Sequence, residues 1–110
     1  MNRTEVLLLL QQLPEELREA EASYYSALGR LEDAKLALRA KECELFSLGL
    51  ITGKNEQARE AEIWQHTYEL QRTVLRARMQ ADQCKVEYDY LHNRLDNTQL
   101  IAQLLLPEDQ

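Results

Sequence analysis

Residues 55–106 read NEQAREAEIWQHTYELQRTVLRARMQADQCKVEYDYLHNRLDNTQLIAQLLL, a stretch without one glycine or proline. Within it, apolar or small residues recur at Ile63, Thr67, Leu70, Val74, Ala77, Ala81, Cys84, Tyr88, Leu91, Leu95, Thr98, Ala102 and Leu105. The steps alternate four and three without a slip, which is the heptad seam of a coiled coil. At 1.5 Å per residue such a helix is about 75 Å long and cannot cover its own seam. The rest of the chain must supply the cover.

Working back from this stretch, Gly49 is placed to stop a preceding helix in the left-handed conformation that glycine tolerates. Leu50 can then fold back towards Leu45. Ile51, Thr52, Gly53 and Lys54 form the turn. Asn55 caps the long helix and Glu56 complements its positive end. So short a connection makes the flanking helices antiparallel neighbours. The earlier helix is read over residues 14–48. Its seam carries Leu17, Tyr24, Leu31, Leu38 and Leu45 seven apart, with Ala20, Ala27, Ala34, Lys41 and Leu48 at the alternate positions.

Asn2 and Glu5 have the spacing of a capped helix start. A short N-terminal helix over residues 1–13 would carry Val6, Leu7, Leu9, Leu10 and Leu13. The residue before a proline avoids the helical region, so a break or kink is expected at Leu13-Pro14. The expected fold is therefore all-α: one domain over residues 1–110, with a short helix (1–13), a first long helix (14–48), a turn (49–54) and a second long helix (55–106). It is an antiparallel coiled-coil helical hairpin.

Each long helix carries a second stripe away from its seam. On the later helix it is Trp64, Tyr68, Leu75, Met79, Val86 and Tyr90. On the earlier one it is Ala22, Tyr25, Gly29, Leu36, Cys43 and Phe46. A lone hairpin leaves both stripes in water, and contiguous apolar exposure on that scale marks an interface. Gly29 sits mid-helix, where glycine costs about 1 kcal/mol relative to alanine, and close approach by another helix explains it. The expected interface is thus Tyr25, Gly29, Leu36, Phe46, Trp64, Tyr68, Leu75, Met79, Val86 and Tyr90. The expected assembly is a homo-oligomer, a dimer or larger, forming a multi-helix bundle.

The net charge of −6 argues against general binding to duplex nucleic acid or anionic membranes. An aromatic content of 6% suits thin helix-on-helix packing better than a thick globular core. Val6 to Leu10 is far shorter than a membrane span or a secretory signal core, so a cytoplasmic protein is expected. Cys43 and Cys84 lie far apart along a hairpin, which leaves two thiols and no internal disulfide.

No enzyme is expected. His66 and His92 are too far apart on one helix to share a metal, and Asp89–His92 and Glu62–His66 read as solvated ion pairs. Gly53-Lys54-Asn55 lacks the preceding glycine and the strand of a phosphate loop. No serine or cysteine has the local pattern of an activated nucleophile. No cofactor and no metal are therefore expected. Arg72, Arg76 and Arg78 form the one basic cluster, near Arg30 and Lys35 across the hairpin. They could line a strip for single-stranded nucleic acid, with tyrosines stacking on bases. The reading preferred from the acidic balance is pairing with Glu32, Asp33 and Glu69.

The turn Gly53-Lys54-Asn55-Glu56, followed by Arg59 and Ala61, resembles the G-K-N-x-x-x-R-x-A stretch of small helical-hairpin proteins of bacteriophage genomes. The resemblance covers about ten residues and the helical layout, and implies a non-enzymatic phage protein acting in the host cytoplasm. The chain departs from secreted four-helix WXG-type hairpins, because Trp64 lies inside a helix and not in the turn. The expected function is a non-catalytic, oligomeric coiled coil mediating protein–protein interaction, with itself and one further protein as partners. The alternatives are an accessory factor for single-stranded nucleic acid, or an acidic inhibitor of a nucleic-acid-binding protein.

Overall fold

The computed structural model describes residues 2–105, which form two long helices and no strand: α1, Arg3–Ser47, and α2, Glu56–Leu105. The fold is the helical hairpin expected, antiparallel and all-α. Leu106, the last residue of the expected second helix, lies outside the described residues.

The seam of α2 is buried as its spacing requires. Thr67, Val74, Ala81, Leu91 and Thr98 are buried, and the intervening seam members down to Ala102 are half-buried. Two of these are polar, yet neither is left unpaired. Thr67 Oγ1 donates to the Ile63 carbonyl at 2.6 Å, and Thr98 Oγ1 to the Arg94 carbonyl at 2.8 Å. A threonine that returns its hydroxyl to the preceding turn presents its methyl to the partner helix. On α1, Ala27, Leu31, Ala34 and Leu45 are buried. Leu48, expected as the seam's last member, is exposed, since the helix has already ended.

The break expected at Leu13-Pro14 is absent, and no separate short helix forms: α1 runs through Pro14. The physical reason lies in the seam. Val6, Leu10, Leu13 and Leu17 continue the four-three alternation of the later residues, and Val6 and Leu13 are fully buried. Breaking the helix would throw both off the partner. Proline has no N–H, so the Leu10 carbonyl loses its usual helical donor. Burial of two large side chains, about 1.5–3 kcal/mol each, offsets a penalty of about 3 kcal/mol. At the N-terminus Asn2 acts as the cap expected: its Oδ1 accepts from Glu5 N–H at 2.8 Å, and its Nδ2 donates to Glu5 Oε1 at 3.0 Å.

The described helices fall into two compact units, each an antiparallel helix pair. One consists of residues 27–81 and includes the turn; the other pairs residues 2–26 with residues 82–105. In the latter, the Tyr24 ring stacks on Tyr88, with centroids 6.2 Å apart. Counting evenly from the middle of the turn would instead set Tyr24 against Met79. In the unit of residues 27–81, Thr52 and Gly53 of the turn bond to Glu62 and Arg59 in the first two turns of α2. Cys43 and Cys84 are not joined in a disulfide.

Candidate interaction surface

The turn is built by side chains of α2. Gly49 adopts φ +70°, and the Leu50 N–H donates to the Leu45 carbonyl at 3.0 Å while the Gly49 N–H donates to that of Phe46 at 3.1 Å. These are the two bonds of a Schellman cap. Asn55 Oδ1 accepts from the Ala58 N–H at 2.8 Å, the N-cap expected of it. Between the caps, Glu62 Oε2 accepts from the Thr52 N–H at 2.9 Å, and Arg59 Nη1 donates to the Gly53 carbonyl at 3.3 Å. A Cβ added to Gly53 would lie 2.7 Å from the Arg59 nitrogen and 2.9 Å from the Ala58 carbonyl carbon. Only glycine fits there. Gly53, Asn55 and Arg59 of the G-K-N-x-x-x-R-x-A stretch thus each have a task in closing the hairpin, while Lys54 and Ala61 are exposed. Helical spacing pairs Glu62 with His66; the structure gives Glu62 to the loop. The clue in the sequence is a carboxylate one helical turn past Arg59, facing a segment with an unsatisfied amide.

The stripes expected as an interface are exposed. Tyr25, Leu36, Phe46, Trp64, Tyr68, Leu75, Met79, Val86 and Tyr90 each leave about half or more of their surface in solvent, and Gly29 has nothing within 4 Å of its missing Cβ. In the unit of residues 27–81, a shallow groove runs between the helices, with Val74 and Leu38 at its floor and Leu36, Trp64 and Leu75 on its walls. Arg39 and Arg78 flank it. Trp64 meets Tyr68 edge-on, with centroids 6.0 Å apart. In the unit of residues 2–26 and 82–105, a second groove is walled by Glu16, Glu19, Glu87 and Arg94, beside Tyr90. The first has an apolar floor and margins of both signs, Glu32 and Glu42 as well as Lys35, Arg39 and Arg78; the second is mainly acidic.

Arg72, Arg76 and Arg78 do not act as one strip. The Arg72 guanidinium lies over the Tyr68 ring, 5.8 Å from its centroid, and Arg76 Nη2 donates to Thr73 Oγ1 at 3.3 Å. Arg78 is on a different side of the helix and flanks the groove. Among the described residues no ion pair joins these arginines to Glu32, Asp33 or Glu69, so the expected pairing is not formed. Glu32 pairs with Lys35 instead, at 3.4 Å. A side chain three or four residues away on the same helix is held close by the backbone, whereas one across the hairpin must be ordered at an entropic cost. The same rule corrects the histidine pair: His92 Nδ1 lies 3.3 Å from Asp96, not beside Asp89, whose neighbour is Lys85 at 4.0 Å.

Among the described residues no cluster of three or more His, Cys, Asp or Glu side chains is arranged to hold a metal ion, and no helix is long and apolar enough to cross a membrane. The Tyr88 phenol is biased towards its neutral form. Burial, then the carboxylate of Glu21, then Tyr25, raise its phenol above the ordinary value of 10.0. Compared with protein-family models, curated proteins and solved structures, the chain matches none.

Proposed function

We propose that this is a non-catalytic, self-associating coiled-coil protein that mediates protein–protein contacts, an accessory protein of the phage kind its turn resembles, working in the host cytoplasm. The observation that supports it is the outer stripe: aromatic and branched side chains at heptad spacing, exposed along both helices. The chain exposes 8360 Å². A stable protein interface takes about 800 Å² from each partner. Sedimentation equilibrium at micromolar concentration tests the reading. A dimer or larger species is expected, weakened at least tenfold by Leu75→Glu with Met79→Glu and unaffected by Gln65→Glu with Gln83→Glu. A wild-type monomer would overturn it.

The second reading, single-stranded nucleic acid as ligand, draws on the Arg72–Tyr68 contact and on the absence of carboxylate partners for Arg72, Arg76 and Arg78 among the described residues. It requires steep salt dependence. Replacing the three arginines by alanine would lower the slope of log K against log salt by about 0.7 for each arginine that grips a phosphate. Negligible binding at physiological salt would leave protein as the sole partner class.

A further inference from the structure

The net charge of −6 is unevenly spread along the chain. The unit of residues 2–26 and 82–105 holds four Lys and Arg against nine Asp and Glu, while the unit of residues 27–81 holds nine against eight. Within the latter unit the signs are sorted again. Residues 27–41 and 70–81 carry seven Lys and Arg and two Asp and Glu, whereas residues 42–69, which include the turn, carry two and six. The groove of this unit lies against the basic stretch, with Leu36 and Leu38 on α1 and Val74 and Leu75 on α2. Among the described residues no carboxylate pairs with Arg39 or Arg78 on its margins, nor with Arg72 or Arg76 on the same part of α2.

The acids of residues 42–69 are largely engaged where they stand. Glu44 pairs with Lys41, Glu62 accepts from the Thr52 amide, and Glu56 lies in the first turn of α2. The other unit keeps its acids open. Glu16, Glu19 and Glu87 wall its groove, exposed and in no ion pair among the described residues, around Ala20, Leu91 and Tyr90. The two grooves are thus alike in their apolar lining and opposite in the balance of their margins. Lys35, Arg39 and Arg78 outnumber Glu32 and Glu42 in the first, and the three glutamates outnumber Arg94 in the second. A polyphosphate strand would meet Glu32 and Glu42 without bringing a cation for them. The acidic unit of another copy brings Arg94 along with its carboxylates.

We propose that the basic stretch of residues 27–41 and 70–81 is a docking surface for the acidic unit, residues 2–26 and 82–105, of a second copy of the chain. This rests on the self-association argued above and names the parts of the two copies that meet. Contact of like with like would set unpaired guanidinium groups against one another, or carboxylates against carboxylates, and both are repelled. Leu36, Trp64 and Leu75 on the docking surface and Tyr25, Val86 and Tyr90 on the incoming unit are each more than half exposed. These apolar side chains supply the adhesion, and the charges select which face receives which.

The test is a pair of charge reversals in the full-length chain, read by sedimentation at low salt, where surface charges act furthest. Arg39→Glu with Arg78→Glu reverses the docking surface, and Glu19→Arg with Glu87→Arg reverses the acidic unit. All four positions are exposed, so unchanged helicity by circular dichroism is expected. Each variant alone should associate about tenfold more weakly than wild type, and an equimolar mixture should return to within about threefold of it. In the mixture the intact acidic unit of the first variant meets the intact basic stretch of the second. If Glu19→Arg with Glu87→Arg associates as wild type does, or the mixture of folded variants stays apart, the proposal is overturned while self-association stands. A wild type that sediments as a monomer overturns both. A monomer that binds a labelled single-stranded oligonucleotide through Arg39 and Arg78 also overturns the proposal and assigns the stretch to nucleic acid.

Discussion

The inner seam and the outer stripe of this hairpin are both periodic, but they are made of different side chains. The inner seam uses alanine and threonine between its leucines: Ala27, Ala34, Ala81, Thr67 and Thr98 are all buried. The outer stripe has Trp64, Tyr68, Leu75, Met79, Tyr25 and Phe46, all exposed. Small inner residues let two helices approach closely, at the cost of burying little area per residue. The largest apolar side chains stay outside. Closing the hairpin therefore draws on small residues and leaves the large apolar side chains in solvent.

The comparison is broken most severely from within. Leu45 is 1% exposed and Leu13 fully buried, so Leu45→Ala or Leu13→Ala should each cost about 2–5 kcal/mol, read as a lower urea midpoint. An equal truncation outside, Leu75→Ala, should leave the stability of dilute monomer in urea within about 0.5 kcal/mol of wild type and act on assembly alone. Equal losses at both sites would erase the distinction between the two surfaces.

A smaller effect is expected at the turn, which belongs to neither surface. Gly53→Ala must displace backbone 2.7 Å away, and should cost about 1–3 kcal/mol in the thermal melt. Gly49→Ala, with φ +70° and open space around it, should cost about 1–2 kcal/mol from backbone strain alone. If Gly53→Ala proved the milder of the two, the close approach of the loop to α2 would be wrong. Glu62→Gln keeps an acceptor for the Thr52 amide and should cost less than Glu62→Ala.

The smallest effect sharpens the comparison by pH. The Tyr88 phenol titrates above its ordinary value in the folded chain, mainly because burial and Glu21 oppose the phenolate. The stability it contributes is complete below about pH 10 and is lost as pH rises through the folded value. Tyr88→Phe should therefore flatten the alkaline limb of the stability curve.

The seam, the antiparallel hairpin, Gly49 as a stop and Asn55 as a cap are legible in the sequence because each follows from local spacing and backbone chemistry. The kink expected at Leu13-Pro14 fails because it weighs the proline alone. Extending the four-three alternation backwards to Val6 shows that the helix has to continue. The charged contacts fail for a different reason. Arg72, Arg76 and Arg78 have acids at matching levels across the hairpin, whereas Glu32, Asp89 and Asp96 are engaged by neighbours on their own helix. The exposed stripes can be named residue by residue from their spacing.

The clasp that Arg59 and Glu62 make on the loop also sets an order of events. Its bonds join residues six and ten apart, so they can form in a chain that is otherwise open. Pairs further along close ever longer loops, up to that between Val6 and the far end of α2, and each closure costs more chain entropy. The hairpin should zip from the clasp outwards and unzip from its termini. Amide exchange would then slow steadily from both ends of the chain towards Leu45 and Ile63, with the paired helices acting as a clock that reads distance from the turn.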